Sequence, residues 1–473
     1  MRVGQGKGGQ GSGGAATRVH FVGIAGIGVS ALARLALARG FQVSGSDLAA
    51  TPLTAALAAS GATVYQGHHR DYVGAADLVV ISSAVRDDNP EVVEARHRGL
   101  AIIKRAEMLA RVLEGRRTIA VAGTHGKTTT SALITVLLEG AGFDPLALVG
   151  GEMVDIGSNA RLGQGDYAVA EADEYDASFL RLEPYIAVVT NVEPDHLDYY
   201  GDFAGVCAAF SAFLGRIAPA GLLVTNADDA VLQELALARG ALPDAPRHVT
   251  YSLLGQGDWN ATDVVVGQEA TSFVARGSEG VELAISLRLS GRHNVANALA
   301  GIAVGVELGI PLATLAAALA RFQGTRRRME YKGGDPAGQI VVFDDYAHHP
   351  TEVRVNLAAL RARFPGRRLR CLFQPHTYSR TRDLMDQFSG CFSDADEVVL
   401  TAIYAARETD TLGVSGEDMA RAVSQHHPCV HYRPMLEEAA EYIEHTLAPG
   451  DVLVTMGAGT VWTAGEAVVQ WLN

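Results

Sequence analysis

The chain has 473 residues, a net charge of −14, 48% hydrophobic residues and a slightly positive mean hydropathy. A length of this order allows about three domains of ~150 residues, and the hydrophobic content lets each close its own core and excludes global disorder. The acidic balance disfavours a general nucleic-acid or acidic-membrane binder, so a polyanionic ligand would have to meet positive charge concentrated locally.

Residues 1–16 contain a stretch, 4–14, that is mostly glycine with Gln, Ser and Lys7. They read as a flexible tail without the apolar run of a signal peptide, and no later apolar run is long enough to cross a membrane. The strand expected at Val19–Val22 runs into Gly23-Ile24-Ala25-Gly26-Ile27-Gly28 and then an Ala/Leu-rich helix. Gly26 and Gly28 would let backbone approach a pyrophosphate. Asp47 ends the next strand, where an acidic side chain often meets a ribose or base. The order G-x-x-G-x-G weakens a dinucleotide reading, and a tight turn that needs glycine explains the spacing almost as well. Ser82 and Ser83 close the strand Leu78–Ile81, placed either for a ligand or as helix caps.

The second series of apolar runs is Thr118–Ala122, Tyr167–Ala170, Ile186–Thr190 and Leu222–Thr225. After the first comes Gly123-Thr124-His125-Gly126-Lys127-Thr128-Thr129-Thr130, then a helix-compatible stretch from Ser131 to Glu139. Strand, glycine turn, Lys-Thr and helix is the arrangement that cradles nucleotide phosphates, with Lys127 as a point charge and the Thr128 hydroxyl in reach of Mg²⁺. The loop is more compact than G-x-x-x-x-G-K-[ST], which points away from small GTPases and towards another ATP user. Four acids, Glu171, Asp173, Glu174 and Asp176, follow the next run. Their mutual repulsion would be relieved by a cation, although a solvated acidic loop is the plain alternative. His196, flanked by Asp195 and Asp198, is a candidate metal ligand with an oriented imidazole. The segment Val249–Leu289 alternates and predicts an antiparallel patch.

A third series, Ile340–Phe343, Leu369–Phe373, Glu397–Thr401 and Val452–Thr455, completes three strand–helix units with joints near Arg111–Gly115 and Gly324. The four cysteines, Cys207, Cys371, Cys391 and Cys429, form no C-x-x-C pair and read as reduced thiols of a cytosolic protein.

The stretches HFVGIAGIG (20–28), GTHGKTTT (123–130), EADEYDASFL (171–180), TNVEPDHLDYYGD (190–202), GRHNVANALA (291–300), RRME (327–330), DDYAHHPTE (344–352), FQPHTYSRT (373–381) and IYAARE (403–408) occur in this order. Together they resemble the Mur ligases of bacterial cell-wall synthesis, and the last three resemble the alanine-adding branch. The resemblance implies an α/β chain of three domains. These are a Rossmann-like UDP-substrate domain (17–112), a central P-loop ATPase domain (113–323) and a C-terminal Rossmann-like α/β domain that binds the amino acid (324–473). It implies a cytoplasmic, ATP- and Mg²⁺-dependent amide ligase that joins L-alanine to UDP-N-acetylmuramate through an acyl phosphate, in peptidoglycan precursor synthesis. Small molecules are the implied partners, with no nucleic acid and no membrane insertion.

Family roles fall on matching residues. Gly123, Thr124, His125, Gly126, Lys127, Thr128 and Thr129 line the ATP phosphates, with Asn297 at the adenine, Arg328 at phosphate and Asp345 at the ribose. Thr128, Glu171 and His196 would hold metal. Tyr346, His348, His376 and Arg380 surround the alanine and the reacting groups, and either His348 or His376 would take the amine proton, with His349 the alternative to His348 within its pair. Gly26, Gly28, Asp47, Ser82 and Ser83 are UDP contacts. Several sister ligases hold Mg²⁺ with a carbamylated lysine, but no lysine stands between Lys127 and Lys332. The rival readings are an NAD-dependent oxidoreductase, resting on Gly23–Gly28 and Asp47, and an ATP-switched binding protein. Within the family the rival is a ligase that adds a tripeptide.

Overall fold

The computed structural model describes residues 17–473, apart from residues 83, 407 and 411 and the side chain of residue 279. The glycine-rich tail and Ser83 lie outside the described residues. The chain divides into two compact units at Glu114/Gly115.

The first unit carries five parallel strands: β1 (Arg18–Val22), β2 (Gln42–Asp47), β3 (Thr63–Gln66), β4 (Leu78–Ile81) and β5 (Ala101–Lys104). Their order is β3-β2-β1-β4-β5. The chain winds outward from β1 to β3 and then crosses back to β4. The crevice at the carboxyl ends of β1 and β4 is therefore the switch point where such sheets bind ligands. The glycine turn and Ser82 sit at those ends.

The second unit holds two sheets. The first contains β6 (Arg117–Ala122), β7 (Leu146–Met153), β8 (Ser158–Leu162), β9 (Tyr167–Glu171), β10 (Ile186–Val189), β11 (Leu222–Asn226), β12 (Arg247–Ser252), β13 (Trp259–Val266), β14 (Thr271–Arg276) and β15 (Glu282–Leu287). Their order is β15-β14-β13-β12-β11-β10-β6-β9-β7-β8. β6, β9 and β10 are apolar almost throughout, as strands covered on both faces must be. The patch expected to be antiparallel is so only from β13 onward, because β12 pairs parallel with both β11 and β13. A helix, Ala230–Gly240, links β11 to β12, and that crossover brings the chain back in the same direction.

Two helices on this sheet, Lys127–Gly140 and Arg292–Glu307, approach closely. A Cβ added to Gly301 would lie 2.9 Å from Leu137. Ile134, Leu137, Leu138, Leu299 and Ile302 fill the space between sheet and helices.

The remaining strands are β16 (Glu330–Gly334), β17 (Val341–Asp345), β18 (Leu369–Phe373), β19 (Glu397–Leu400), β20 (Val430–Tyr432) and β21 (Val452–Met456). Their order is β16-β17-β21-β18-β19-β20, with only edge strand β16 antiparallel. Separate apolar clusters cover its faces. The four cysteines are free, with Cys371 and Cys391 buried. Among the described residues no helix is long and apolar enough to cross a membrane.

Leu133 is fully buried in the helix that starts at the phosphate loop. Leu133→Ala should lower unfolding free energy by about 2–5 kcal/mol, read as a lower urea midpoint at unchanged slope.

Candidate nucleotide and ligation site

β6 lies between β9 and β10, so the loop that leaves it runs between the tips of two other parallel strands. Gly123 and Gly126 have φ of 131° and 80°, in the region that favours glycine. Space imposes the same choice. A Cβ on Gly123 would collide with the Thr190 hydroxyl, and one on Gly126 would lie 2.8 Å from Asn297 Oδ1. Asn297, expected at the adenine, is thus placed against the loop itself. The helix starts at Lys127, four residues before the expected Ser131, so its unpaired N–H groups open into the turn. The Thr124 N–H donates to the Asn191 carbonyl (3.1 Å) and the His125 N–H to Asn191 Oδ1 (2.8 Å). Thr128 and Thr129 are buried in the first helical turn.

The Lys127 ammonium donates to the Gly123 carbonyl (2.6 Å), the Thr124 carbonyl (3.1 Å) and Glu174 (2.9 Å). Burial opposes its charge, but Glu174, Asp173 and Glu171 outweigh burial and hold its pKa above the ordinary range. Burial raises Glu174 to about 7 against the pull of Lys127. The acidic run is therefore relieved in part by Lys127, not by a metal alone as the sequence suggested.

Glu171 ends β9 and accepts the Gly150 N–H at 2.7 Å. A Cβ on Gly150 would sit 2.5 Å from the Glu171 carboxylate, and one on Gly151 would sit 3.2 Å from Thr128 Cγ2. This glycine pair, which the sequence reading missed, borders both oxygen donors expected to hold Mg²⁺. Thr128 and Glu171 suit that hard cation, and phosphate and water would supply its other ligands. His196 has a left-handed φ of 53°, and its ring lies edge-on to Tyr175 at 5.0 Å. Its Nε2 is 3.7 Å from Asp195, and burial lowers its pKa. Two groups of three potential ligands occur among the described residues, His125–Glu193–His349 and Glu397–Cys429–His431. Neither contains Glu171 or His196, and imidazole is a softer donor than Mg²⁺ prefers.

The loops after β17 and β18 bring the C-terminal residues to this point. Arg380 donates to Asp195 Oδ1 (3.0 Å) and to His376 Nδ1 (3.2 Å), so the proton of a neutral His376 ring is on Nε2. Burial would raise Asp195, but the Arg380 guanidinium holds it well below the carboxylate range. His348 Nδ1–H donates to the Tyr346 carbonyl at 2.9 Å, which leaves a lone pair on Nε2. Burial lowers His348 to about 3, and its ring lies 5.6 Å from that of His376. Tyr346 carries the Arg327 and Arg328 guanidinium groups over its ring at 4.9 and 5.4 Å. Asp345, expected at the ribose, is buried, and its oxygens accept the Met329 and Ala347 N–H groups at 2.7 Å each. In this structure it holds the arginine loop to β17.

His125 joins the two sheets' loops. Its Nδ1 is 3.3 Å from Glu352 Oε1 and its Nε2 is 3.6 Å from Glu193 Oε2. Burial opposes the cation, but Glu193 and Glu352 raise His125 to about 9. Glu193 is lowered to about 2, since His125 and Thr351 outweigh its burial.

In the first unit, Gly26 caps the helix Ile27–Ala38, and a Cβ on Gly28 would lie 3.1 Å from Arg105 Nη1. Asp47 Oδ2 accepts the Ala25 N–H at 2.8 Å, which clasps the glycine turn. Ser82 Oγ accepts the Ala84 N–H at 3.3 Å and caps no helix, since the next one, Pro90–His97, is capped by Asn89.

Three family models match along the chain: the Mur ligase family catalytic domain over residues 18–117, the Mur ligase middle domain over 121–305, and the Mur ligase glutamate ligase domain over 327–459. The chain belongs to the Mur ligase family. It is 45% identical over 438 residues to the UDP-N-acetylmuramate–L-alanine ligase of Syntrophotalea carbinolica, covering 92% of this chain and 93% of that one. It is 46% identical over 437 residues to the enzyme of that name from Geobacter sp. strain M21, with the same coverage of 92% and 93%. Among solved structures, the UDP-N-acetylmuramate–alanine ligase of Thermotoga maritima superposes with a TM-score of 0.80 at 30% identity, covering 96% of this chain and 98% of that chain. A murein peptide ligase from Psychrobacter arcticus gives 0.70 at 27%, covering 97% and 99%.

Two predictions follow from this geometry. A raised His125 binds its proton more tightly when folded. Its stabilisation is complete below the ordinary value of 6.5 and is lost as pH rises through about 9. Urea midpoints should fall across that window for the native chain, and the fall should be smaller in His125→Asn. Gly150→Ala should displace Glu171 and raise the Mg²⁺ concentration needed for half-maximal turnover; an unchanged Mg²⁺ titration would separate Glu171 from the metal.

Proposed function

We propose that this chain is the ATP-dependent ligase that joins L-alanine to UDP-N-acetylmuramate in peptidoglycan precursor synthesis. The observation that carries the reading is the Arg380–Asp195 bridge, which sets a cluster of imidazoles and guanidiniums beside a phosphate loop. Relatives of that name across 92% of the chain support it.

A carboxylate resists attack by an amine until a phosphoryl group converts it to an acyl phosphate. Two anions must meet in that step, and preset cations offset the repulsion by several kcal/mol in a water-poor site. The loop N–H groups and Lys127 take the phosphates of ATP, and Lys127 exchanges Glu174 for them. Mg²⁺, held by Thr128 and Glu171 with His196 beside them, would offset further phosphate charge. Arg328, beside Tyr346, faces the same phosphates. Arg380 has a buried Nε without a hydrogen-bond partner, a donor for the alanine carboxylate. Of the two candidate bases, His348 offers the lone pair and His376 the N–H. His348 Nε2 therefore accepts a hydrogen bond from the alanine amine, and His376 Nε2–H donates to oxygen at the acyl centre. The first unit's crevice at Gly23–Gly28 receives the UDP group. The reaction is placed in the cytoplasm, where its small-molecule substrates occur.

Phosphate release by the purified chain with ATP, Mg²⁺ and UDP-N-acetylmuramate should depend on L-alanine, with an amide product of matching amount. Release without a new amide would overturn the assignment. Release driven instead by L-alanyl-γ-D-glutamyl-meso-diaminopimelate would move the chain to the peptide-adding ligases. Arg380→Ala should raise the KM for alanine at least about tenfold more than that for ATP; equal effects would remove it from the amino-acid site.

A further inference from the structure

Glu352 ends the stretch DDYAHHPTE (344–352). It stands in the first turn of the helix Pro350–Arg363, and its side chain is 13% exposed. Its two oxygens do different things. Oε1 lies 3.3 Å from His125 Nδ1, on the phosphate loop, and 3.8 Å from Arg328 Nη1. Oε2 accepts the His348 N–H at 3.1 Å and lies 3.6 Å from His348 Nδ1. One carboxylate thus touches three residues of the site that come from three separate loops.

The neighbouring groups make this contact stiff. Thr351, the preceding residue, donates its hydroxyl to Glu193 Oε2 at 2.7 Å, and Glu193 faces the far side of the His125 ring. His125 and His349 rings lie 4.6 Å apart. His125, Glu193 and His349 have the spacing of a metal site. However, His349 Nδ1 accepts the Thr351 N–H at 3.3 Å, which leaves the ring proton on Nε2. His125, between two carboxylates, is a cation. The three groups answer one another's charge and do not present lone pairs to a metal.

We propose that Glu352 is a positioning residue of the ligation reaction. One oxygen holds the phosphate loop through His125, and the other holds His348, so a single carboxylate sets the distance between the phosphates and the imidazole that receives the alanine amine. Burial would raise its pKa, but His125 and Arg328 outweigh that and keep it an anion. An anion serves both contacts, since each partner presents an N–H. A Gln amide would turn an NH₂ towards one of them.

The proposal rests on the ligase reading, and its test separates the two. Glu352→Gln should lower kcat by about 10- to 100-fold, the loss expected for misplaced reacting groups, while KM for UDP-N-acetylmuramate stays within about threefold. Glu352→Asp, which keeps the charge at shorter reach, should recover part of the loss. The His125 ring is followed by NMR without substrate. Its titration midpoint, set by Glu193, Glu352 and the adjacent His349, should move to lower pH in Glu352→Gln and less in Glu352→Asp. A kcat within about twofold of native, or an unmoved His125 midpoint, would overturn the proposal. If Glu352→Gln does not melt cooperatively, Glu352→Asp alone is judged by the same two readouts, with the same limits. A native chain without alanine-dependent phosphate release would instead sink the ligase reading, and the His125 titration would still judge the contact.

Discussion

The fit around Gly123 and Gly126 governs the rest of the second unit. The turn has room for no side chain at either position, because Thr190 closes one side and Asn297 the other. Thr190 belongs to the tip of β10, and Asn297 belongs to the helix that packs on the loop's own helix. The loop is therefore shaped by sheet order and helix packing together. Its N–H groups are aimed by the fold and do not need to be recruited by a ligand.

Charge is laid out by the same logic. An acidic protein that handles triphosphates and sugar nucleotides has to keep its cations where the anions arrive. Here each one is paired: Lys127 with Glu174, Arg380 with Asp195, Arg327 with Asp344, and His125 and Arg328 with Glu352. A buried charge without its partner is costly, so these pairs keep each cation ionised and fixed. They also provide a destination for each carboxylate-bound cation when a phosphate or a carboxylate of the substrate competes for it.

Much of this was legible in the sequence because its determinants are local. Ile119–Ala122 and Ile186–Val189 are continuous apolar runs, and Leu369–Phe373 is apolar but for Arg370; each became a central parallel strand. The phosphate loop was legible because glycines, lysine and threonine lie within one turn. Strands such as Thr63–Gln66, Ser158–Leu162 and Val430–Tyr432 were not, since they are short, mixed and at or near sheet edges. The glycine pair at 150–151 owes its meaning to Glu171 and Thr128, which meet it only after β7 is laid beside β9. Asp47 and Asp345 show a second limit. An acid at a strand end has one signature for two tasks, touching a ligand or clasping its own loop, and both residues here clasp their loops. Glu193 and Glu352 carry no signal of their own in the sequence because their partners come from different loops.

The pairing of Lys127 also has a practical side. The chain has four lysines, Lys7, Lys104, Lys127 and Lys332, and arginine carries nearly all its other positive charge. Across the whole central sheet, Lys127 is the sole primary amine on a side chain, and its nitrogen is engaged by two carbonyls and a carboxylate. An acylating label for amines therefore has one address in that part of the molecule, and its uptake there tracks how often this ammonium lets go of Glu174.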